Sequence, residues 1–355
     1  MTPSAMPSFR LTSEMPARVA GYPQLRFMGS KFRLLPWMFE VFAQLEFDTV
    51  LDAFSGSGCV SYMLKAMGKE VIANDFLNFS ATIAKATVEN SRVRLGDDDL
   101  EALLAYDATH HRFIAKTFAG IFYSDEDLRF LDRTWWNTRK LSDEYKRAIA
   151  VSSLVRSCVK RQPRGVFTVA GDPEHYKDGR RDLRLSIREH FLEQVHVYNT
   201  SVFDNGRKNL ATRSDVFDID ATGIDLVYMD PPYVPRSDDN CYIKRYHFLE
   251  GLSCYWKDLE ILVDSRVKKI KKYYTPFSYR KSAVSAFDRM FSAFSDSILV
   301  LSYSSNGYPD LDILLDLLRR YKASVEVFEK EHRYHFGTHK AAERNQVREY
   351  LVVGS

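Results

Sequence analysis

The stretch Thr49-Val50-Leu51-Asp52-Ala53-Phe54, followed by Ser55-Gly56-Ser57-Gly58, decides the fold class of this chain. Its apolar first half is typical of a buried strand, and its glycine-rich second half is typical of a turn from a strand into a helix. The sequence then predicts a helix from Cys59 to Met67, a strand from Glu70 to Asn74 and a helix from Phe79 to Glu89. This repeated rhythm indicates a doubly wound, parallel α/β sheet.

Five more strands and two more helices are predicted outside this unit. The helices are expected over residues 30–45 and from Leu311 to Tyr321. The strands are expected at Gln194–Tyr198, Ile224–Met229, Ser297–Tyr303, Ser324–Glu329 and Val347–Val353. No helix is predicted between the last two strands, so they should pair antiparallel in an otherwise mostly parallel, seven-stranded sheet. The loop that connects them should lie at the edge where the parallel strands end.

The chain divides by composition into three parts. Residues 1–20 are rich in Met, Pro, Ser and Thr and are predicted to be flexible. Residues 91–190 interrupt the strand–helix rhythm and read as a helical, aromatic and basic inserted domain. Residues 21–90 and 191–355 carry the predicted sheet and therefore form one domain around the insert.

Cysteine usage and hydropathy indicate the expected cellular compartment. The four cysteines are scattered, without a Cys-x-x-Cys pair: Cys59, Cys158, Cys241 and Cys254. This spacing is typical of a reduced, cytoplasmic protein and not of a disulfide scaffold or a zinc ribbon. The sequence shows no signal-peptide pattern and no apolar run long enough to span a bilayer, so no membrane partner is expected.

The small net charge of +3 hides an uneven distribution. Residues 129–190 hold 15 Lys and Arg against 8 Asp and Glu, and residues 264–281 hold 7 against one. These two balances, +7 and +6, leave 3 − 13 = −10 for the rest of the chain. Two basic segments on an otherwise acidic chain predict a polyanionic partner that contacts only part of the surface.

A nucleoside-binding site is predicted at the glycine-rich turn. Gly56 and Gly58 let the backbone approach a ligand closely, and Asp75 ends the next strand, where an acid accepts hydrogen bonds from ribose hydroxyls. The turn has neither the spacing of a dinucleotide motif nor the lysine of a Walker loop. A nucleoside cofactor without a required pyrophosphate is therefore indicated, and S-adenosylmethionine fits that description.

A second anion-binding element precedes the first predicted helix. In the segment Phe27-Met28-Gly29-Ser30-Lys31, Ser30 can cap the helix, and the free N–H groups of a helix start favour an anion. Lys31 could then bind a carboxylate such as that of a methionine moiety.

The motif Asp230-Pro231-Pro232-Tyr233 directly follows the predicted strand Ile224–Met229. Prolines cannot donate hydrogen bonds, so the Asp230 carboxylate and a proline carbonyl form an acceptor pair beside a flat ring. Such a site suits a planar substrate with an exocyclic amino group.

Four motifs follow one another along the chain: Phe27–Lys31, Asp52–Gly58, Asp75 and Asp230–Tyr233. In this order they resemble the motifs of Dam-type DNA adenine-N6 methyltransferases, in which a target-recognition domain lies between the cofactor motifs and Asp-Pro-Pro-Tyr. The resemblance covers most of residues 22–355. The chain departs from it at Ser30, where many relatives have a second glycine. Asn306-Gly307-Tyr308 and Glu349-Tyr350-Leu351 also look like features of this family.

The resemblance implies a Rossmann-like methyltransferase domain and a role for each motif. Asp230 and the Pro231 carbonyl would accept the two N–H bonds of adenine N6, and Tyr233 would stack on the extruded base. Asp52 and Lys31 would hold the methionine end of S-adenosylmethionine and Asp75 its ribose. The other expected catalytic and cofactor-binding residues are Pro232, Phe27, Met28, Phe54, Gly56, Gly58, Phe76, Val202 and Phe203.

Double-stranded DNA is the expected partner of the basic segments, because Arg reads base edges and Lys contacts phosphates. The candidates in the insert and after Asp-Pro-Pro-Tyr are Lys160, Arg161, Arg164, Lys268, Lys269, Lys271 and Lys272. Those in the predicted loop before the last strand are His335, Thr338, Lys340 and Arg344. The histidines of this loop have no paired carboxylate or cysteine, so no metal site is predicted.

The residues alone leave several activities open. The same acceptor pair could serve cytosine N4 in DNA, adenine in ribosomal RNA or a protein glutamine. A non-catalytic DNA-binding protein on the same scaffold is a further alternative. A cognate restriction endonuclease would be a partner if the chain belongs to a restriction–modification system.

Overall fold

The computed structural model describes residues 14–170, 179–235, 242–333 and 346–355. A seven-stranded sheet with the order β3-β2-β1-β4-β6-β9-β8 forms its centre. The strands are β1 (Thr49–Asp52), β2 (Glu70–Asn74), β3 (Leu210–Thr212), β4 (Leu226–Met229), β5 (Val234–Pro235), β6 (Ile298–Ser304), β7 (Gly307–Tyr308), β8 (Val325–Arg333) and β9 (Gln346–Gly354). The short β5 and β7 pair with each other outside the sheet.

Strand direction confirms the prediction of a mostly parallel, doubly wound sheet. β1, β2, β3, β4 and β6 run parallel, whereas β9 is antiparallel to both of its neighbours, β6 and β8. The predicted antiparallel pairing of the last two strands is thus confirmed. The loop between them, residues 334–345, lies outside the described residues.

Twelve helices surround the sheet within the described part of the chain. They are α1 (Leu35–Phe42), α2 (Cys59–Ala66), α3 (Asn78–Ala84), α4 (Asp97–Leu104), α5 (Phe113–Thr117), α6 (Asp125–Asn137), α7 (Glu144–Arg161), α8 (Arg181–Arg184), α9 (Ile187–Ser201), α10 (Tyr242–Cys254), α11 (Arg280–Ala293) and α12 (Leu311–Leu318). A π-helical turn, Lys85–Glu89, extends α3 and completes the predicted helix that ends at Glu89. None of these helices is both long and apolar enough to cross a membrane.

Both faces of the central strands are buried, as a doubly wound arrangement requires. In β4, Leu226 and Tyr228 pack into the core formed with α1 and α2. The alternate residues Val227 and Met229 pack into the core formed with α11 and α12. A third core joins the helices between β2 and β3 to α10. The predicted insert, residues 91–190, falls in this helical region, and its predicted end falls inside α9.

The predicted strand Gln194–Tyr198 is wrong, because these residues lie within α9. Ser186 caps this helix in a capping box with Glu189, and this pairing fixes the helix start. Phe191, Val195 and Tyr198 are then buried at helical spacing. The missing parallel strand is β3, which has only three half-buried or exposed residues and therefore carries little hydrophobic signal.

Candidate active site

A cavity of about 260 Å³ opens where β1, β2 and β4 end. Ligands of doubly wound sheets bind at this edge. The structure brings the predicted motifs together here, since the lining includes Phe27, Met28, Lys31, Asp52, Phe54, Gly56, Asp75, Phe76, Asp230, Pro232 and Lys272. Gly58, Pro231 and Tyr233 flank these residues in sequence without lining the cavity themselves. Four motifs that are far apart along the chain thus surround one space.

The glycine-rich turn is held against the cavity by the acid that follows β2. The Gly56 N–H donates to Asp75 Oδ2 over 2.7 Å, and the Leu77 N–H donates to Asp75 Oδ1 over 2.8 Å. Gly56 has a φ of +53°, and a Cβ there would lie 3.1 Å from the Phe27 ring. Burial raises the pKa of the Asp75 carboxyl to about 6, although the hydrogen bonds from Leu77 and Gly56 oppose this shift. The turn therefore needs glycine for both its conformation and its close approach to Phe27.

Asp52, the last residue of β1, has one satisfied and one unsatisfied oxygen. Its Oδ2 accepts a hydrogen bond from the Ser61 hydroxyl over 2.5 Å. Its Oδ1 is buried and has no hydrogen-bond partner among the described residues. Burial raises the pKa of this carboxyl to about 7, with smaller contributions from the negative charges of Asp230 and Asp75. A buried acceptor in a cavity wall is what a cationic or hydrogen-bonding ligand group would satisfy.

Lys31 lies beside two carboxylates, Asp230 and Glu349, that are far from each other and from Lys31 along the sequence. Its Nζ lies 3.1 Å from Asp230 Oδ1 and 3.8 Å from Glu349 Oε2, and it also donates to the Gly29 carbonyl over 3.3 Å. Burial raises the pKa of Asp230, while the Lys31 ammonium acts in the opposite direction. Lys31 is itself only 4% exposed, so its charge is compensated by these acids.

Glu349 is a site residue that the sequence prediction did not place in the site. It is 1% exposed and lies on β9, opposite Ser304 of β6. Its segment was noted only as a family-like feature, because nothing in the local pattern of β9 shows that Lys31 will be its partner. The antiparallel insertion of β9 beside β6 creates this contact.

Tyr233 is supported by β6 and by the small β5–β7 ladder. Its ring packs edge-on against the Tyr303 ring, with 5.3 Å between the centroids. Val234 pairs with Tyr308 in the ladder. A Cβ on Gly307 would lie 2.7 Å from the Tyr303 hydroxyl and 3.0 Å from a ring carbon of Tyr233. The family-like glycine at position 307 therefore provides space for both rings.

Helix α10 holds the Phe27–Lys31 segment in place. The Phe27 ring stacks on the rings of Tyr242 and Tyr246, with centroid distances of 5.2 Å and 5.0 Å. The Met28 N–H donates to the Tyr246 hydroxyl over 2.8 Å. Tyr246 is thus a further residue of the site that the sequence analysis does not assign.

The structure does not place Val202 and Phe203, two predicted cofactor contacts, in the lining of the cavity. Phe203 packs against Tyr62 and lies under Arg18, whose guanidinium is 4.0 Å from the ring centroid. Asp215 and Val216, which follow β3, line the cavity instead. The misassigned strand explains this difference, because the third parallel strand ends at Thr212 and not before Val202.

The structure describes seven of the predicted DNA-contacting residues, and their surroundings differ. Arg161 is buried beside Asp127 and the Leu183 carbonyl, and this burial argues against its predicted DNA contact. Lys160 pairs with Asp182 at 3.0 Å and Lys271 with Glu260 at 2.8 Å, whereas Arg164 is exposed. Lys268 donates to the Val263 carbonyl, Lys269 is half-buried, and Lys272 lines the cavity.

The remaining candidates, His335, Thr338, Lys340 and Arg344, lie outside the described residues. Among the described residues, no group of three or more His, Cys, Asp or Glu side chains is arranged to hold a metal ion.

The site geometry defines a class of protein. In this doubly wound sheet, one cavity is surrounded by a glycine-rich turn, an acid after β2 and Asp-Pro-Pro-Tyr after β4. This arrangement is typical of methyltransferases that act on planar amino groups. The chain belongs to the D12 class N6 adenine-specific DNA methyltransferases, whose family model matches residues 27–303. It is therefore a DNA adenine-N6 methyltransferase, and the alternatives of cytosine N4, ribosomal RNA, protein glutamine and a non-catalytic scaffold lose their support.

Individual relatives agree with this assignment. The chain is 29% identical to the type II methyltransferase M2.HphI of Haemophilus parahaemolyticus over 328 residues, which cover 88% of this chain and 92% of that protein. It is 22% identical to M.NlaIII of Neisseria lactamica, over 90% of this chain and 95% of that protein. It is 23% identical to M.FokI of Planomicrobium okeanokoites over 92% of this chain, a match that spans about half (52%) of that longer enzyme.

Proposed function

We propose that this chain transfers a methyl group from S-adenosylmethionine to N6 of an adenine that has been extruded from double-stranded DNA. The observation that carries the proposal is the position of the Asp230 carboxylate, which lines the same cavity as the unsatisfied Oδ1 of Asp52. Asp230 belongs to the motif that would accept hydrogen bonds from the target amino group. Asp52 offers an unsatisfied acceptor oxygen to the cofactor.

The residues of the cavity fit S-adenosylmethionine. Asp52 Oδ1 would accept from the ammonium of the methionine moiety and so gain its missing partner. Asp75 already accepts two backbone N–H groups, but each carboxylate oxygen has a second lone pair for a ribose hydroxyl. Phe76 is 41% exposed at the cavity edge and would pack on the cofactor's adenine. When bound, the cofactor supplies an electrophilic methyl group on a sulfonium.

Asp230 and the Pro231 carbonyl would accept the two N–H bonds of adenine N6 and draw its lone pair away from the ring. Lys31 acts through Asp230, because an ammonium at 3.1 Å favours the ionised carboxylate against the effect of burial. We therefore assign Lys31 to Asp230 and not to the methionine carboxylate. Tyr233, held by Tyr303, would stack on the base. These groups contribute orientation and electrostatic stabilisation.

Extrusion of the base from the duplex costs a few kcal/mol, and the cavity repays this cost through stacking and hydrogen bonds. The relatives named type II methyltransferases suggest a role in a restriction–modification system. A restriction endonuclease that cuts the same DNA sequence would then be the partner whose action this chain blocks.

The test is methyl transfer in vitro to mixed-sequence duplex DNA, followed by nucleoside analysis. We expect N6-methyladenine, and we expect Asp230→Ala to abolish it while calorimetry shows retained cofactor binding. N4-methylcytosine without N6-methyladenine, or undiminished transfer by Asp230→Ala, would refute the proposal.

A further inference from the structure

One segment crosses the mouth of the cavity and is not explained by the chemistry above. We define this strap as residues 271–280. At one end, Tyr273 packs on Phe76 at the edge of the cavity, with 5.2 Å between centroids. At the other end, the Arg280 guanidinium lies 4.5 Å from the centroid of the Tyr308 ring, in the ladder that follows Tyr233. The strap therefore reaches from the cofactor side of the cavity to its substrate side.

Two tyrosines of the strap form a stacked pair that faces solvent. The rings of Tyr274 and Tyr279 lie 5.1 Å apart with an interplanar angle of 21°. They remain 66% and 48% exposed, although both line the cavity. The Tyr274 hydroxyl bonds with the Ser282 hydroxyl at 3.1 Å, which fixes the pair on the start of α11. A rigid aromatic surface with this exposure is typical of a surface that binds a partner.

Neither the protein core nor the cofactor accounts for this pair. Core packing of the strap is done by Phe277, which is 2% exposed and meets the Phe54 ring at 5.6 Å. The cofactor side is covered by Tyr273 against Phe76. The stacked pair instead lies next in sequence to Arg280 and Lys281, whose positive charges suit a phosphate backbone.

We propose that Tyr274 and Tyr279 form a stacking platform that receives an unpaired base of the DNA at the mouth of the cavity, next to Arg280 and Lys281. Aromatic rings hold unpaired bases because every base has a π-face, and this contact does not depend on base identity. The platform would stabilise the adenine on its way from the duplex to Tyr233. The inference rests on the proposed function, since only an enzyme that unpairs a base offers one at this position.

The platform is tested by single-turnover methylation of two duplexes with saturating enzyme. One duplex pairs the target adenine with thymine, and the other places an abasic site opposite it, so that unpairing costs little. We expect Tyr274→Ala and Tyr279→Ala each to slow transfer to the paired duplex about 5- to 100-fold, in line with the loss of one stacking contact. On the abasic duplex the loss should shrink to about 2-fold or less, because the base is already unpaired.

Three controls separate stacking from folding and from the proposed function. Tyr279→Phe keeps the ring and should keep the wild-type rate, and Tyr106→Ala removes a 75% exposed tyrosine that does not line this cavity. Cofactor affinity of the alanine variants should match that of wild type. Equal losses on both duplexes, or no loss on the paired one, would overturn the platform. Failure of the wild-type enzyme to methylate either duplex would instead count against the proposed function.

Discussion

Two carboxylates that line the cavity, the buried Asp52 and the partly buried Asp230, have different surroundings. Asp230 has the Lys31 ammonium 3.1 Å away, whereas Asp52 has one hydroxyl donor and an oxygen without a partner. The folded protein therefore tolerates an incompletely satisfied acid at position 52. Buried acids of this kind are typical of sites where a ligand supplies the missing hydrogen bond. In the protein without ligand, the unsatisfied oxygen should lower the free energy of unfolding by a measurable amount.

The substitution Asp52→Asn should change how stability depends on pH. The folded-state pKa of Asp52 is raised from 3.8 to about 7, so between these values the folded state binds more protons than the unfolded state. The free energy of unfolding of the wild type should therefore fall as pH rises from about 4 to about 7, by up to a few kcal/mol. Asparagine removes this dependence, and we expect the variant to gain stability over wild type as pH rises. Thermal melts of both proteins without cofactor, at about pH 4 and about pH 7, measure this difference in stability.

Asp225→Asn provides a control of opposite sign. The pKa of Asp225 is lowered by the backbone N–H groups of Thr49 and Asp48. The Asp225 carboxylate stabilises the folded state above its unfolded pKa, and this stabilisation disappears as pH falls. The substitution Asp225→Asn should therefore destabilise the protein most near neutral pH. Parallel pH profiles for wild type and Asp52→Asn would contradict the environment described for Asp52.

At the scale of elements, the site depends on contacts that join distant segments. Helix α10 stacks on Phe27, the antiparallel β9 brings Glu349 to Lys31, and the β5–β7 ladder supports Tyr233. Each of these elements lies outside the glycine-rich turn and the strand–helix rhythm that indicate the fold.

Gly307→Ala should slow catalysis without affecting the cofactor. The added methyl group would push on Tyr303 and Tyr233, and displacement of a substrate-positioning group by about 1 Å can cost about 100-fold in rate. We expect kcat to fall about 10- to 100-fold with an unchanged cofactor Kd, measured by steady-state kinetics and calorimetry. Gly21→Ala is the matched control, because a Cβ at Gly21 meets nothing within 4 Å. Equal kcat values for the two variants would contradict the role of Gly307.

The strong local signals of the sequence predict the central elements and motifs. β1, β2, β4, β8 and β9 lie close to their predicted positions, because each contains a run of strand-forming apolar residues, although only those of β1, β2, β4 and β9 are buried. The sequence does not predict β3, because its three residues bury little, and the apolar residues of α9 predict a strand in its place. The pairing of Lys31 with Asp230 could not be predicted, since it depends on how α10 and β4 place two segments that are about 200 residues apart.

At the scale of the whole molecule, charge separation should govern DNA binding. The basic segments 129–190 and 264–281 carry balances of +7 and +6, against −10 for the rest. Part of this charge is already paired within the protein, as Lys160 with Asp182 and Lys271 with Glu260 show. The exposed Arg164 and the end of the strap are therefore the stronger sites for phosphate contacts.

Affinity for duplex DNA should fall steeply with salt, because each phosphate contact releases counterions. We expect a linear decrease of log K with log salt concentration in fluorescence anisotropy, and Arg164→Gln should reduce the slope by about 1. Arg319→Gln is the control, since Arg319 pairs with Asp316 on α12 and does not line the cavity. An affinity that does not change with salt would contradict the role of the basic segments.

The central claim is that the cavity around Asp230 methylates adenine N6 in DNA. It is tested most directly by sequencing, with detection of modified bases, the genomic DNA of cells that lack adenine methylation and express this chain or its Asp230→Ala variant. The wild type should place N6-methyladenine at one recurring sequence, and the variant should leave the DNA unmodified. Modification of cytosine instead of adenine, or the same adenine pattern from both proteins, would contradict the account.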